Sequence, residues 1–146
     1  MLVQNSTMER IAGFIKHYFG WRNWSVLHYN SVTENVFLIF YIALRDRLYS
    51  VSFIEDFFIF IAFSMFSTTY GYLINDLADK ELDALHGKDN TFKNDSVWKA
   101  GIIVVVFMVL SIIAGIKFFE SRLFLPLWLC WFFIATFYSL KPIRLK

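Results

Sequence analysis

Three long stretches of the chain carry no charged side chain: Phe57–Ile74, Ala100–Ile116 and Leu123–Leu140. Each has 17 or 18 residues, within the roughly 17–25 that a helix needs to cross the hydrocarbon core of a bilayer. A fourth stretch, Trp24–Leu44, is long enough but contains His28 and Glu34. These runs are apolar on every face instead of alternating, which predicts helices and not barrel strands. The fold class expected is therefore all-α: a polytopic membrane helical bundle with four transmembrane helices, over about 24–44, 57–75, 99–116 and 123–140. Ahead of them, Met8–Phe19 places Ile11, Phe14, Ile15, Tyr18 and Phe19 at helical spacing. That segment reads equally as a short helix on the membrane surface or as a polar lead-in. Glu9 and Arg10 precede any apolar run, so no cleaved secretory signal is expected.

Composition agrees with the pattern. Hydrophobic residues make up 58% of the 146 positions and charged ones 18%, more apolar surface than a soluble domain of this size can bury. Eighteen Phe, five Trp and seven Tyr exclude a disordered coil. The single cysteine, Cys130, excludes a disulfide scaffold. A net charge of +2 gives no reason to expect nucleic acid as a partner.

Lys and Arg set the direction of insertion. Ten of the fourteen fall on one side of the expected spans, before the first, between the second and third, and after the fourth. Both termini and the Asp76–Lys99 loop are therefore predicted to be cytoplasmic. Trp21, Trp24, Trp98 and Tyr138 lie near that boundary, where an aromatic belt belongs.

The second span runs straight into Asn75-Asp76-Leu77-Ala78-Asp79-Lys80-Glu81-Leu82-Asp83. If its helix continues, Asn75, Asp79 and Asp83 stand at i, i+4 and i+8, within an arc of about 80°, and Asp76 lies about 20° from Asp83. Carboxylates on one stripe repel one another and resist ionisation. A hard divalent cation relieves that repulsion, and Mg²⁺ typically binds one or two carboxylates together with substrate phosphates. The competing account is a solvated acidic helix end neutralised by Lys80 and water. In the first span, His28, Ser31, Glu34 and Asn35 form a polar stripe. It either faces the bundle interior, where it could position an acceptor, or lies in the interface because the span starts later.

The Asn-Asp-x-x-Asp-x-x-x-Asp pattern after an apolar span resembles the first aspartate-rich motif of the UbiA-type membrane prenyltransferases. The following Ala84-Leu85-His86-Gly87-Lys88-Asp89-Asn90 resembles the loop found there in that family. At the other end of the chain, Tyr138-Ser139-Leu140-Lys141-Pro142-Ile143-Arg144-Leu145-Lys146 is similar to the segment after the family's fourth span. The resemblance covers most of the chain and is weakest before Phe57. Family members have about twice this length and about nine spans, so residues 1–146 correspond to the N-terminal half of the bundle. Their second aspartate-rich motif has no counterpart here, and Phe92-Lys93-Asn94 stands where many have an Arg-Pro pair. A truncated chain, a fragment or one part of a split protein is the expectation.

The resemblance implies an enzyme that transfers an isoprenoid chain from an allylic diphosphate to an aromatic or other acceptor, by Mg²⁺-assisted ionisation. It implies Asp76, Asp79 and Asp83 as catalytic residues, the same three with Asn75 as metal ligands, and Asn75, Tyr138, Ser139, Arg144 and Lys146 as substrate-binding residues. The partners implied are the diphosphate, a prenyl acceptor, the bilayer, and a missing C-terminal half or a second copy. Lys141, Arg144 and Tyr138 are equally ordinary anchors after a span. Two readings without prenyl transfer stand beside the enzyme: a non-catalytic membrane interaction or assembly module, and a cation-binding membrane component.

Overall fold

The computed structural model describes residues 7–18 and 33–140, and these are all-helical, with no strand among them. Five helices follow one another: α1 (Thr7–Tyr18), α2 (Glu34–Asp46), α3 (Val51–Leu85), α4 (Val97–Gly115) and α5 (Phe124–Ser139), with a short 3₁₀ turn, Ile116–Phe118, after α4. Residues 19–32, which include Trp21, Trp24, His28 and Ser31, lie outside the described part, as do Lys141, Arg144 and Lys146.

α3 organises the molecule. Ser50 caps it, its hydroxyl accepting from the Phe53 N–H at 3.1 Å, which satisfies one of the amides a helix start leaves unpaired. From there it runs 35 residues without a break, about 52 Å at 1.5 Å per residue. That exceeds a hydrocarbon core of about 30 Å by some 20 Å, so the apolar span and the acidic stripe belong to a single helix. Gly87 then takes a φ of 64°, a left-handed conformation that ends helices and that glycine adopts without strain. The chain returns through residues 86–96 to α4, which Ser96 caps through the Lys99 N–H at 3.2 Å.

Packing on α3 is made by small and polar contacts as much as by apolar ones. Ser67 meets Ser111 of α4, hydroxyl to hydroxyl, at 2.5 Å. Tyr70 bonds Thr136 of α5 at 2.7 Å and stacks on Phe132. Asn35 of α2 donates to Ser64 at 2.7 Å. At Gly115 a Cβ would lie 3.0 Å from the Phe63 ring, so a larger residue would need that ring to shift by a few tenths of an ångström for α4 to approach α3 as closely. Close approach through small residues with interhelical hydrogen bonds is how helices associate in lipid, where apolar burial alone drives little.

α3 and α4 with its 3₁₀ extension are long and apolar enough to cross a membrane. Much of their apolar surface is bare: Ile102, Val105, Val106, Val109 and Ile113 are all exposed along α4. Water is a poor solvent for a patch of that size. α5 is apolar but has 16 residues, about 24 Å, and the described part of the first expected span begins at Glu34. Two spans thus meet the length criterion where four were expected.

Candidate functional site

The acidic end of α3 is covered by the loop that follows it. Asp76 and Asp79 are buried, Asn75 and Asp83 partly so. The Thr91 N–H donates to Asp76 Oδ2 at 3.1 Å. Asn90 Nδ2 donates both to the Asp76 carbonyl at 2.8 Å and to Asp83 Oδ2 at 2.9 Å, linking the first and last acidic positions of the stripe. Its Oδ1 accepts from the Phe92 N–H at 2.9 Å, which shapes the turn. Phe92, fully buried, then enters the cluster of Leu73, Ile74, Ala100 and Phe107. Polar bonds thus set the loop's register and one ring anchors it.

Lys80 does not neutralise the stripe: its ammonium donates to the Asp95 carbonyl, and no ion pair among the described residues joins it to Asp76, Asp79 or Asp83. Asp95 is the loop's second fixed point. Its carboxylate pairs with Lys99 at 2.5 Å and accepts from the Tyr18 hydroxyl at 3.2 Å. The hydrogen bond from Lys99 holds the Asp95 carboxyl below the usual carboxylate range. Burial, with Asp95 close by, pushes the Tyr18 phenol up.

Tyr138 and Ser139 end α5, which runs parallel to α3, so they lie toward the same end of the bundle as the stripe. Ser139 is buried and spends its hydroxyl on the Ala135 carbonyl at 3.1 Å, while Tyr138 is 43% exposed. Arg144 and Lys146 are outside the described residues, and of the polar stripe expected in the first span only Asn35 has a described side chain.

The oxygen-rich donor set suits a hard cation. From Asn75 to Asp83 it extends over about 12 Å of helix, and among the described residues no three His, Cys, Asp or Glu side chains gather tightly enough to hold a metal by themselves. Any Mg²⁺ there would complete its coordination with oxygens from outside these side chains. One buried oxygen is left over beside the stripe: among the described residues the Thr91 hydroxyl has no hydrogen-bond partner, on the residue whose N–H holds Asp76. Farther along α3, a groove of about 420 Å³ opens between α2, α3 and α5, lined by Asn35, Phe63, Ser64, Thr68, Trp128 and Trp131 among others.

Sequence reasoning located the acidic residues and missed their partners Asn90, Thr91, Phe92 and Asp95. The available signal was an Asn followed by an apolar ring, Asn90-Thr91-Phe92, inside an otherwise polar loop. Comparison with protein-family models, with curated proteins and with solved structures gives no match.

Proposed function

We propose that this chain is a multi-pass membrane prenyl-transfer protein, with four spans and a cytoplasmic acidic end that takes an isoprenoid diphosphate through Mg²⁺. The observation that carries the reading is the continuity of α3 from the apolar span into the stripe, with the 86–96 loop folded over it. In this reading the acidic stripe lies where a lipid-borne diphosphate would meet water. The motif resemblance supplies the chemistry.

Asp79 and Asp83, with Asn75 a turn earlier and Asp76 beside them, would hold the cation. Mg²⁺ supplies charge neutralisation on the departing diphosphate oxygens. The protein's own groups do the remaining work. The loop limits water at the reacting end, and the groove along α3 offers room for an apolar chain. Tyr138, Arg144 and Lys146 donate toward the diphosphate, Arg as a planar fork. In the reaction the carbon–oxygen bond of the allylic diphosphate breaks, the acceptor forms a bond to that carbon, and the acceptor loses a proton.

A second reading, a membrane assembly module, is favoured by that same groove. α2 and α5 both pack on α3 and leave a face open between them, which further helices of a missing half or of a second copy would fill. One experiment separates the two. Binding of a non-hydrolysable isoprenoid diphosphate is measured in detergent with and without Mg²⁺, for wild type and Asp79→Asn/Asp83→Asn. The enzyme reading expects Mg²⁺-dependent binding lost in the double variant. Absence of binding, or binding indifferent to both changes, overturns it in favour of the module.

A further inference from the structure

α1 is attached at its last turn and bare along its earlier ones. Its last turn is fastened to the loop over the acidic stripe: His17 Nε2 lies 3.0 Å from the Thr91 carbonyl, and the Tyr18 hydroxyl donates to Asp95. The Tyr18 ring is buried against Phe92, 6.2 Å between centroids, within the cluster that holds the loop. Along the earlier turns the side that Tyr18 shares is bare: Met8, Ile11, Phe14 and Ile15 are all exposed, with Arg10, Lys16 and His17 outside that apolar arc.

Two features say what covers that face. The loop that α1 grips ends at Ser96, the cap of α4, and the next residues, Val97 and Trp98, are exposed apolar groups at the start of a membrane-length helix. The bare face of α1 is therefore held at the rim of the apolar band. Arg10 and Lys16 on α1, with exposed Lys93 at the same end, complement the anionic headgroups of a bilayer surface.

We propose that α1 is a membrane-surface strap: its Met8–Ile15 face seats in the headgroup region of a bilayer containing anionic lipid, and its His17–Tyr18 turn clamps the 86–96 loop onto the end of α3. The strap ties the order of that loop to the lipid surface. It depends on α4 crossing the bilayer and holds whether or not the acidic stripe takes a diphosphate.

The test uses the full chain in lipid nanodiscs, with Cys130→Ser as background. A fluorophore at Met8→Cys reports the apolar face, and a nitroxide at Lys93→Cys reports the loop. The expected result is quenching of the fluorophore by brominated lipid and not by aqueous iodide, stronger when phosphatidylglycerol is present. Ile11→Asp/Ile15→Asp abolishes that quenching and mobilises the nitroxide. His17→Ala/Tyr18→Phe mobilises the nitroxide while lipid quenching persists. Iodide quenching without lipid quenching in the otherwise unchanged chain overturns the proposal and needs no folding variant. So does protection that depends on protein concentration in lipid-free detergent, which would mean a second copy covers the face. A loop nitroxide unmoved by either variant overturns the clamp.

Discussion

At the start of α3, Glu55 and Asp56 reach Lys117 at 3.4 and 2.5 Å, with the Glu55 side chain mostly exposed and those of Asp56 and Lys117 partly so. Toward its other end, Asp76 and Asp79 are buried, and Asp76 and Asp83 receive hydrogen bonds from a loop that folds back over them. The same residue type on the same helix thus does different work. Solvent-accessible pairs of this kind contribute little, because water screens them and long side chains must be ordered. Buried carboxylates impose a desolvation cost and persist only where hydrogen bonds or a cation offset it. The first arrangement ties the start of α3 to the turn after α4. The second fastens a loop over the other end of α3.

The contrast can be broken at four points, in decreasing order of effect. Phe92→Ala removes the ring that anchors the loop and costs about 3–5 kcal/mol, the usual range for a buried Phe; denaturant unfolding in detergent measures it, with loss of amide protection expected first in the 86–96 loop. Asp76→Ala leaves the buried Thr91 N–H without its acceptor and costs about 1–3 kcal/mol. Asp76→Asn retains a carbonyl acceptor and is expected to lose less in the same assay.

The third prediction concerns pH. Because Lys99 holds the Asp95 carboxyl below its ordinary value, the stability this group adds is fully present above the unfolded carboxylate value of about 4 and disappears as pH falls through its lower folded value. Tyr18 has the opposite sign: its raised phenol value adds stability that is present below about pH 10 and is lost as pH rises through the folded value. A nitroxide in the loop is expected to stay ordered between these limits, and Asp95→Asn to remove the acid step. Lys117→Gln, the smallest change, leaves unfolding unaltered at the opposite end of α3. A large loss there would undo the contrast between the two ends.

Which parts of this arrangement were legible in the sequence follows from the range of the forces involved. The apolar runs, the all-helical class and the continuation of α3 through Asp83 are local consequences of periodicity, and they stand out residue by residue. Met8–Phe19, which reads equally as a short helix or as a polar lead-in, is helical in the structure over Thr7–Tyr18. Its attachment to the loop was not legible, because His17 and Thr91 are 74 residues apart and only the folded chain brings them together. The role of Asn90 was hidden for a related reason: a polar loop residue looks the same in sequence whether it faces water or bridges two positions of a helix. Lys80 illustrates the limit from the other side. Helical spacing puts Asp76 and Asp83 within its reach, at i−4 and i+3, yet it turns to the Asp95 carbonyl, 15 residues on, which only the folded loop brings alongside.

The most direct test of the central claim, that the end of α3 is a metal-assisted diphosphate clamp, is the ³¹P spectrum of a bound non-hydrolysable isoprenoid diphosphate with Mn²⁺ in place of Mg²⁺. The account predicts strong paramagnetic broadening of both phosphorus signals in wild type, its loss in Asp79→Asn, and no change in Asp56→Asn at the opposite end of the same helix. Broadening that survives Asp79→Asn, or a bound diphosphate that Mn²⁺ leaves sharp, would contradict it.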